Sequence, residues 1–312
     1  MKLVSTLIIW AWACFAIFAQ EEPYYKVVAE QGDGIFSILR KQGLDPVKHY
    51  EEFVTLNSDQ IKDGSFLQVG VEYKIPKAAD SFKKTGVLVK SAKGTEAPIF
   101  DKELAQMNLK SERLKDAVYY LIVDSGKDGD NGFVQDVAQS LAADLMVHGA
   151  KVYILGDEIP EPALNDTVMV TENQRMGHYI EVINKRYLQN SGKYQRALII
   201  RANGVSEKAD MDVAIYHYNK SDQGQRFAEN IRNIFKKNSI SNKTYKDVNM
   251  IFEDQNSLYL AKNILPAISL LTLENASKES NDKIAVRPDK RKFAGWISSG
   301  IINDYVDLEI EN

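Results

Sequence analysis

The feature that most limits what this chain can fold into is an unbroken apolar run, Tyr119-Tyr120-Leu121-Ile122-Val123, opening directly into Asp124-Ser125-Gly126-Lys127-Asp128-Gly129-Asp130-Asn131-Gly132. A run of this length with no polar alternation reads as a buried strand. The glycines and aspartates that follow supply the positive φ angles and side-chain acceptors of a turn. In α/β sheets, ligands gather beyond the carboxyl ends of the strands, which places any chemistry of this chain at that turn.

Residues after 118 repeat the theme. Residues 118–123 read as a strand, and 133–147 as a helix with Val137, Leu141 and Leu145 on one face and Gly149 as its stop. Lys151 to Leu155 is the next strand, and 156–172, with prolines and acids, a loop. A helix over 173–189, strands at 197–200 and 212–218, a helix over 223–237, a strand within 264–273 and a helix over 291–305 complete the series. Such alternation predicts an α/β domain with a mostly parallel sheet covered by helices on both faces.

Residues 1–19 read as a secretory signal: Lys2, then the apolar stretch Leu3 to Phe18, then Ala19 before Gln20-Glu21-Glu22. An uncleaved N-terminal anchor is the rival reading. A lipoprotein site at Cys14 fits less well, because Trp12 is bulky where small residues are wanted. Cys14 is the only cysteine, so an exported mature chain holds no disulfide and no thiol nucleophile. The net charge of -4 gives no reason to expect nucleic acid as a partner.

Residues 24–76 form a separate unit in the order strand, helix, helix, strand. Tyr25 to Val28 is the first strand, Gln31-Gly32-Asp33-Gly34 the turn, and Ile35, Ile38 and Leu39 share a helix face. A second helix from Pro46 turns Phe53, Val54 and Leu56 inward, and Val69-Gly70-Val71-Glu72-Tyr73-Lys74-Ile75-Pro76 returns as a strand. This βααβ unit resembles a LysM domain, through Gly32-Asp33, Ile35-x-x-Ile38-Leu39, Leu56-Asn57 and Val69-Gly70-x-x-Tyr73-x-Ile75-Pro76. The resemblance implies that Gly32, Asp33, Gly34, Ile35, Asn57, Ser58 and Ile61 bind glycan chains containing N-acetylglucosamine, as in peptidoglycan. Gly34 stands where the family usually has threonine, which removes a hydroxyl donor. The alternative is a LysM fold without glycan affinity, serving as a spacer.

Residues 77–117 are expected to connect the units: a flexible polar tether over Lys77 to Gly94, then an amphipathic wrap carrying Phe100, Leu104, Met107, Leu109 and Leu114. The domain placed at 118–305 resembles the zinc-dependent N-acetylmuramoyl-L-alanine amidases, of the type Bacteroidetes attach to a LysM unit. The matching pieces, over about Pro98 to Ile302, include Asp136-Val137-Ala138, His148-Gly149-Ala150, Tyr194-Gln195-Arg196, Asp212-Val213, Gly224-x-x-Phe227-Ala228-Glu229-Asn230, Pro266-Ala267 and Phe293-Ala294-x-Trp296-Ile297.

Enzymes of that family hold Zn²⁺ with histidine, glutamate and histidine and use a second glutamate as general base. The metal lowers the pKa of its water and the glutamate takes the proton. Here the corresponding positions are Lys127, Gly132, Arg201 and Leu271. None is a zinc ligand or a base, and two are cations that repel Zn²⁺. Rescue by neighbours is poorly supported: Asp124, Asp128 and Asp130 suit turn or capping roles, and alternation turns Glu274 to the face opposite Leu271. His49, His148, His178 and His217 read as surface or packing residues. Lys127 and Arg201 either bind an anion, such as a peptide-stem carboxylate, or pair with Asp124, Asp128 or Asp130. The expectation is thus an exported, periplasmic or envelope-associated protein that binds peptidoglycan, with a catalytically inactive amidase-like domain, no metal cofactor and possible envelope-protein partners. An active zinc amidase and a pure interaction scaffold are the alternatives.

Overall fold

In the computed structural model, the structure describes residues 22–61, 67–90, 96–99, 107–124, 132–156, 172–205, 209–241, 250–276 and 282–311. The expected signal at 1–19 and the turn holding Lys127, Asp128 and Asp130 lie outside them. The chain divides into two compact units, Met1–Ala79 and Asp80–Asn312.

The first unit has the expected order: β1 (Tyr24–Val28), α1 (Ile35–Lys41), α2 (Pro46–Leu56) and β2 (Glu72–Pro76). β1 and β2 pair antiparallel, with Val27 opposite Tyr73. Ile35, Ile38 and Leu39 of α1, Phe53 of α2, and Tyr73 and Ile75 of β2 form its core. Asp45 caps α2 by accepting from the Val47 N–H at 2.9 Å, with Pro46 at the first helical position, where its missing donor costs nothing.

The second unit contains α3 (Phe82–Thr85), β3 (Gly86–Lys90), β4 (Glu96–Pro98), β5 (Ala117–Asp124), α4 (Gly132–Met146), β6 (Lys151–Gly156), α5 (Glu172–Gln189), β7 (Tyr194–Asn203), β8 (Met211–His217), α6 (Asp222–Lys237), α7 (Gln255–Asn263), β9 (Ala267–Asn275), β10 (Ile284–Val286) and α8 (Lys290–Glu311). Its eight-stranded sheet runs in the order β10-β8-β9-β7-β5-β6-β3-β4. The centre, from β9 to β3, is parallel; β8, β10 and β4 add antiparallel margins. The α/β class with a mostly parallel, doubly covered sheet is therefore what the alternation predicted.

β5 lies in the middle, and its first seven residues are buried, which is why it reads as a continuous apolar run. Its odd residues, Tyr119, Leu121 and Val123, pack with α4, α6 and α8; its even residues, Val118, Tyr120 and Ile122, pack with α5 and α7. Gly149, at φ 95°, ends α4 as expected, with the Ala150 N–H bonded to the Leu145 carbonyl at 3.1 Å. Ser221 caps α6 by accepting from the Gly224 N–H at 3.0 Å.

The reading of 77–94 as a flexible tether is corrected. Gly86 to Lys90 is a sheet strand, paired in parallel with β6, and Glu96–Pro98 extends the sheet beyond it. The local composition is polar because this is the sheet margin, but Val87-Leu88-Val89 between the lysines is enough to pair. α7 also had no counterpart in the periodicity, since nine residues give an apolar stripe little length in which to repeat.

Candidate functional site

The carboxyl ends of β5, β7 and β9 lie side by side, and their register decides which side chains meet. Asp124 pairs with Arg201, Arg201 with Thr272, and Asn203 with Glu274. Paired residues on parallel strands point to the same face, so these side chains emerge on the side covered by α5 and α7.

Arg201 is the centre of the group. Its Nε donates to Asp124 Oδ2 at 2.8 Å. Its outer edge meets Asp254, with Nη1 at 3.4 Å from Oδ2 and Nη2 at 3.4 Å from Oδ1, and Nη2 also donates to Ser257 Oγ at 3.4 Å. Asp254 is at the same time the cap of α7, its Oδ1 accepting from the Ser257 N–H at 2.9 Å. Burial opposes charge on both groups. It is outweighed in Arg201 by Asp124 and Asp254, which raise its pKa, and in Asp254 by the Ser257 bonds and Arg201, which lower its pKa. The guanidinium is a fixed positive charge bracketed by two carboxylates.

Beside it lies a shallow cleft with room for about one water molecule. Ile122, Ile199, Met176 and Leu260 give it an apolar lining, and Asp124 and Arg201 line it too. Arg175 and Asn256 stand at its lining as well. Arg175 pairs with Glu172 at 3.5 Å, and the Asn256 amide donates to the same carboxylate.

Along β9 and its neighbours runs a second polar group. Glu274 accepts from Asn203 Nδ2 at 3.2 Å and pairs with Lys283. Burial works against its charge, but the bonds from Lys283 and Asn203 prevail and hold its carboxyl below the ordinary value.

Of the four positions named from the amidase resemblance, the three that are described do not converge. Arg201 is at the cleft. Leu271 is fully buried on the opposite face of β9, in the core shared with α4, α6 and α8. Alternation along the strand causes this, because Thr272, not Leu271, is the residue paired with Arg201. Glu274 does point away from Leu271, as expected, and that turns it to the same face as Arg201. Gly132 opens α4 and contributes no side chain. Lys127 lies outside the described residues, so of the proposed ion pairs only Arg201 with Asp124 can be placed. Sequence reasoning missed Asp254 as its other partner, although aspartate is a preferred residue just before a helix.

Among the described residues no group of three His, Cys, Asp or Glu side chains could hold a zinc ion. His148 Nδ1 bonds Ser111 Oγ at 2.8 Å, His217 Nδ1 bonds the Tyr218 carbonyl at 3.1 Å, and His49 faces Glu52 at 3.6 Å. At the tip of β7 the position is held by a cation.

In the first unit, the residues named for glycan binding turn mostly inward. Asn57 is buried, its Nδ2 donating to the Phe53 and Lys74 carbonyls and its Oδ1 accepting from the Lys74 N–H, at 2.8, 2.8 and 2.7 Å. Its amide joins α2 to β2 and is not presented to a ligand. Asp33 accepts from the Glu30 N–H at 2.8 Å and pairs with Lys41 at 2.8 Å. Ile35 is in the core, and Ile61 packs against it. Gly34 is half-buried and bonded to Ser37 through its N–H at 2.9 Å. Gly32, at φ 90° with open space around it, and Ser58 are exposed.

No family model matches this chain, and no curated protein does. Solved structures give fold-level likenesses. The CwlD amidase from Clostridioides difficile, solved in complex with the GerS lipoprotein, is 15% identical at a TM-score of 0.40, over 61% of this chain and 98% of that one. The N-acetylmuramoyl-L-alanine amidase AmiC2 of Nostoc punctiforme is 13% identical at 0.35, over 64% and 99%. A metallo-carboxypeptidase from Burkholderia cenocepacia is 12% identical at 0.35, over 63% and 58%. At such scores the likeness does not extend to residue-by-residue correspondence.

Proposed function

We propose that this is a cell-envelope protein that binds peptidoglycan without hydrolysing it. Its first unit is a LysM-like glycan-binding module, and its second an amidase-like domain that has lost catalysis. The observation that carries the reading is Arg201, a permanent cation held between Asp124 and Asp254 at the strand tips. Where the resembling enzymes need a neutral imidazole to hold a metal, this chain supplies the charge itself, in a form that cannot polarise an amide carbonyl as an open-coordinate metal does. Export is part of the proposal and rests on residues 1–19; among the described residues no helix is long and apolar enough to cross a membrane.

The glycan module would act through the exposed backbone near Gly32 and through Ser58, since Asn57 and Asp33 are spent internally. Metal analysis and sacculus sedimentation on residues 20–312, beside Asp80–Asn312, test the reading. The expected results are no stoichiometric zinc, no release of amine ends from sacculi, and sedimentation that weakens on loss of the first unit. Stoichiometric zinc with chelator-sensitive cleavage would mean an active amidase. Absence of sedimentation by the whole protein would leave an interaction scaffold.

A further inference from the structure

α6 and α8 run side by side in opposite directions, so the end of one lies beside the start of the other. Phe235 meets Phe293 and Trp296 at ring-centre distances of 5.6 and 5.5 Å, and further along Arg226 Nε donates to Asp304 at 2.8 Å. The chain leaving α6 then lies against β10, where Ser239 Oγ and the Ile240 N–H both donate to the Ala285 carbonyl at 3.0 Å. These contacts bring Lys237, Arg287 and Arg291 to one end of the α6–α8 pair. All three are exposed, and none forms an ion pair with another described residue. Lys290 and Lys292 stand with them, matched by Asp136 at 2.7 Å and Asp289 at 3.6 Å. Ile240, 44% exposed, is the apolar member of the group. From Arg287 to Lys292 the sequence holds four cations against one acid, reversing locally the sign of a chain whose net charge is -4.

We propose that this end of α6 and α8 is a docking surface for an anionic lipid bilayer. Charge complementarity is the first reason. Cations without internal counter-ions gain by meeting phosphate headgroups, each contributing roughly five-fold to partitioning. Arg287 and Arg291 can also grip a phosphate through two parallel N–H bonds. Ile240 is the second reason, and it selects lipid over a dissolved polyanion. A bilayer takes an exposed aliphatic side chain into the boundary between headgroups and acyl chains, beside lysines and arginines; a soluble polymer offers it no such place. Three unpaired cations give roughly a hundred-fold preference for an anionic over a neutral bilayer, which makes the attachment reversible. Docking of this kind needs neither the first unit nor glycan.

Vesicle co-sedimentation of residues 20–312 tests the surface, since the apolar stretch Leu3 to Phe18 would otherwise enter bilayers itself. Binding is expected on phosphatidylglycerol vesicles and not on phosphatidylcholine, with release as salt rises from about 0.1 to about 0.5 M. Trp296 is the only tryptophan in that segment, so a change in its emission on binding reports this face. Lys237→Gln with Arg291→Gln should weaken binding about 25-fold. Lys185→Gln with Lys262→Gln makes the same charge change at exposed positions of α5 and α7, on the other side of the sheet, and should alter binding less than roughly twofold. Ile240→Ser should weaken vesicle binding several-fold and leave retention on dextran sulfate unchanged. Equal binding to neutral vesicles, equal losses in the two double variants, unaltered Trp296 emission, no loss in Ile240→Ser, or no vesicle binding overturns the proposal. A protein that binds vesicles but fails to sediment with sacculi keeps the docking surface and sinks the peptidoglycan reading instead.

Discussion

Asp304 of α8 offers a sharp test of how the second unit is held together. Its side chain is fully buried, and its carboxylate accepts from Arg226 Nε at 2.8 Å, lies 3.6 Å from Arg196 Nε and receives the Tyr194 hydroxyl. Arg196 is itself 95% removed from solvent, its side chain only 5% exposed, and stacks over Tyr194 at 4.2 Å. Asp304→Asn changes the shape little and removes the carboxylate that faces both Arg196 and Arg226, leaving the two cations to repel each other in a low-dielectric setting. Breaking a buried ion pair from one side costs about 3–5 kcal/mol, and the partial exposure of Arg226, 27%, favours the lower figure. For a unit of this size, about 3 kcal/mol corresponds to a fall in melting temperature of roughly 6–12 °C. Denaturant unfolding of both proteins, followed by tyrosine fluorescence, measures it. The double variant Asp304→Asn with Arg226→Met should recover part of the loss, because it removes one of the two repelling charges. A loss under about 1 kcal/mol, or a double variant less stable than the sum of the singles, would refute the electrostatic account and leave packing as the cause.

Glu274 should give the second unit an acid-labile component. Burial raises its pKa, the Lys283 and Asn203 bonds lower it by more, and the net value lies below the ordinary 4.5. A depressed carboxyl stabilises the fold above its unfolded-state pKa and loses that contribution as pH falls through the folded value. The difference in melting temperature between wild type and Glu274→Gln should therefore be largest near neutrality and shrink below about pH 4. Gly300→Ala should cost about 3 kcal/mol in denaturant unfolding, since a Cβ there would lie 2.5 Å from Ile231 Cα and drive α8 off α6. Asn57→Ala should destabilise the first unit by about 2–3 kcal/mol in thermal melts, by orphaning the Lys74 N–H and carbonyl, whereas Ser58→Ala should leave stability unchanged.

Sequence alone determined the layered architecture. A buried strand on both faces has to be apolar throughout, so Tyr119 to Val123 announced its place at the centre of the sheet. The stop at Gly149 and the amphipathic faces of α4 and α6 were equally readable, because local periodicity and backbone chemistry dictate them. It also named Arg201 at a strand tip and allowed it Asp124 as a partner. Where elements are short or marginal, as in β3, β4 and α7, local pattern is too brief to compete with a polar neighbourhood, and only pairing with the sheet makes them regular. Partners distant in the chain were decided by tertiary structure alone. Asp254 reaches Arg201 because α7 packs against β9 and α5, beside the tip of β7. Leu271 turns from the cleft because register pairs Thr272 with Arg201, a one-residue distinction that reverses the face. Asp304 meets Arg196 and Arg226 only where α8, β7 and α6 are packed together. Composition gave the strand tips their charges; register and helix packing decided which of them face one another.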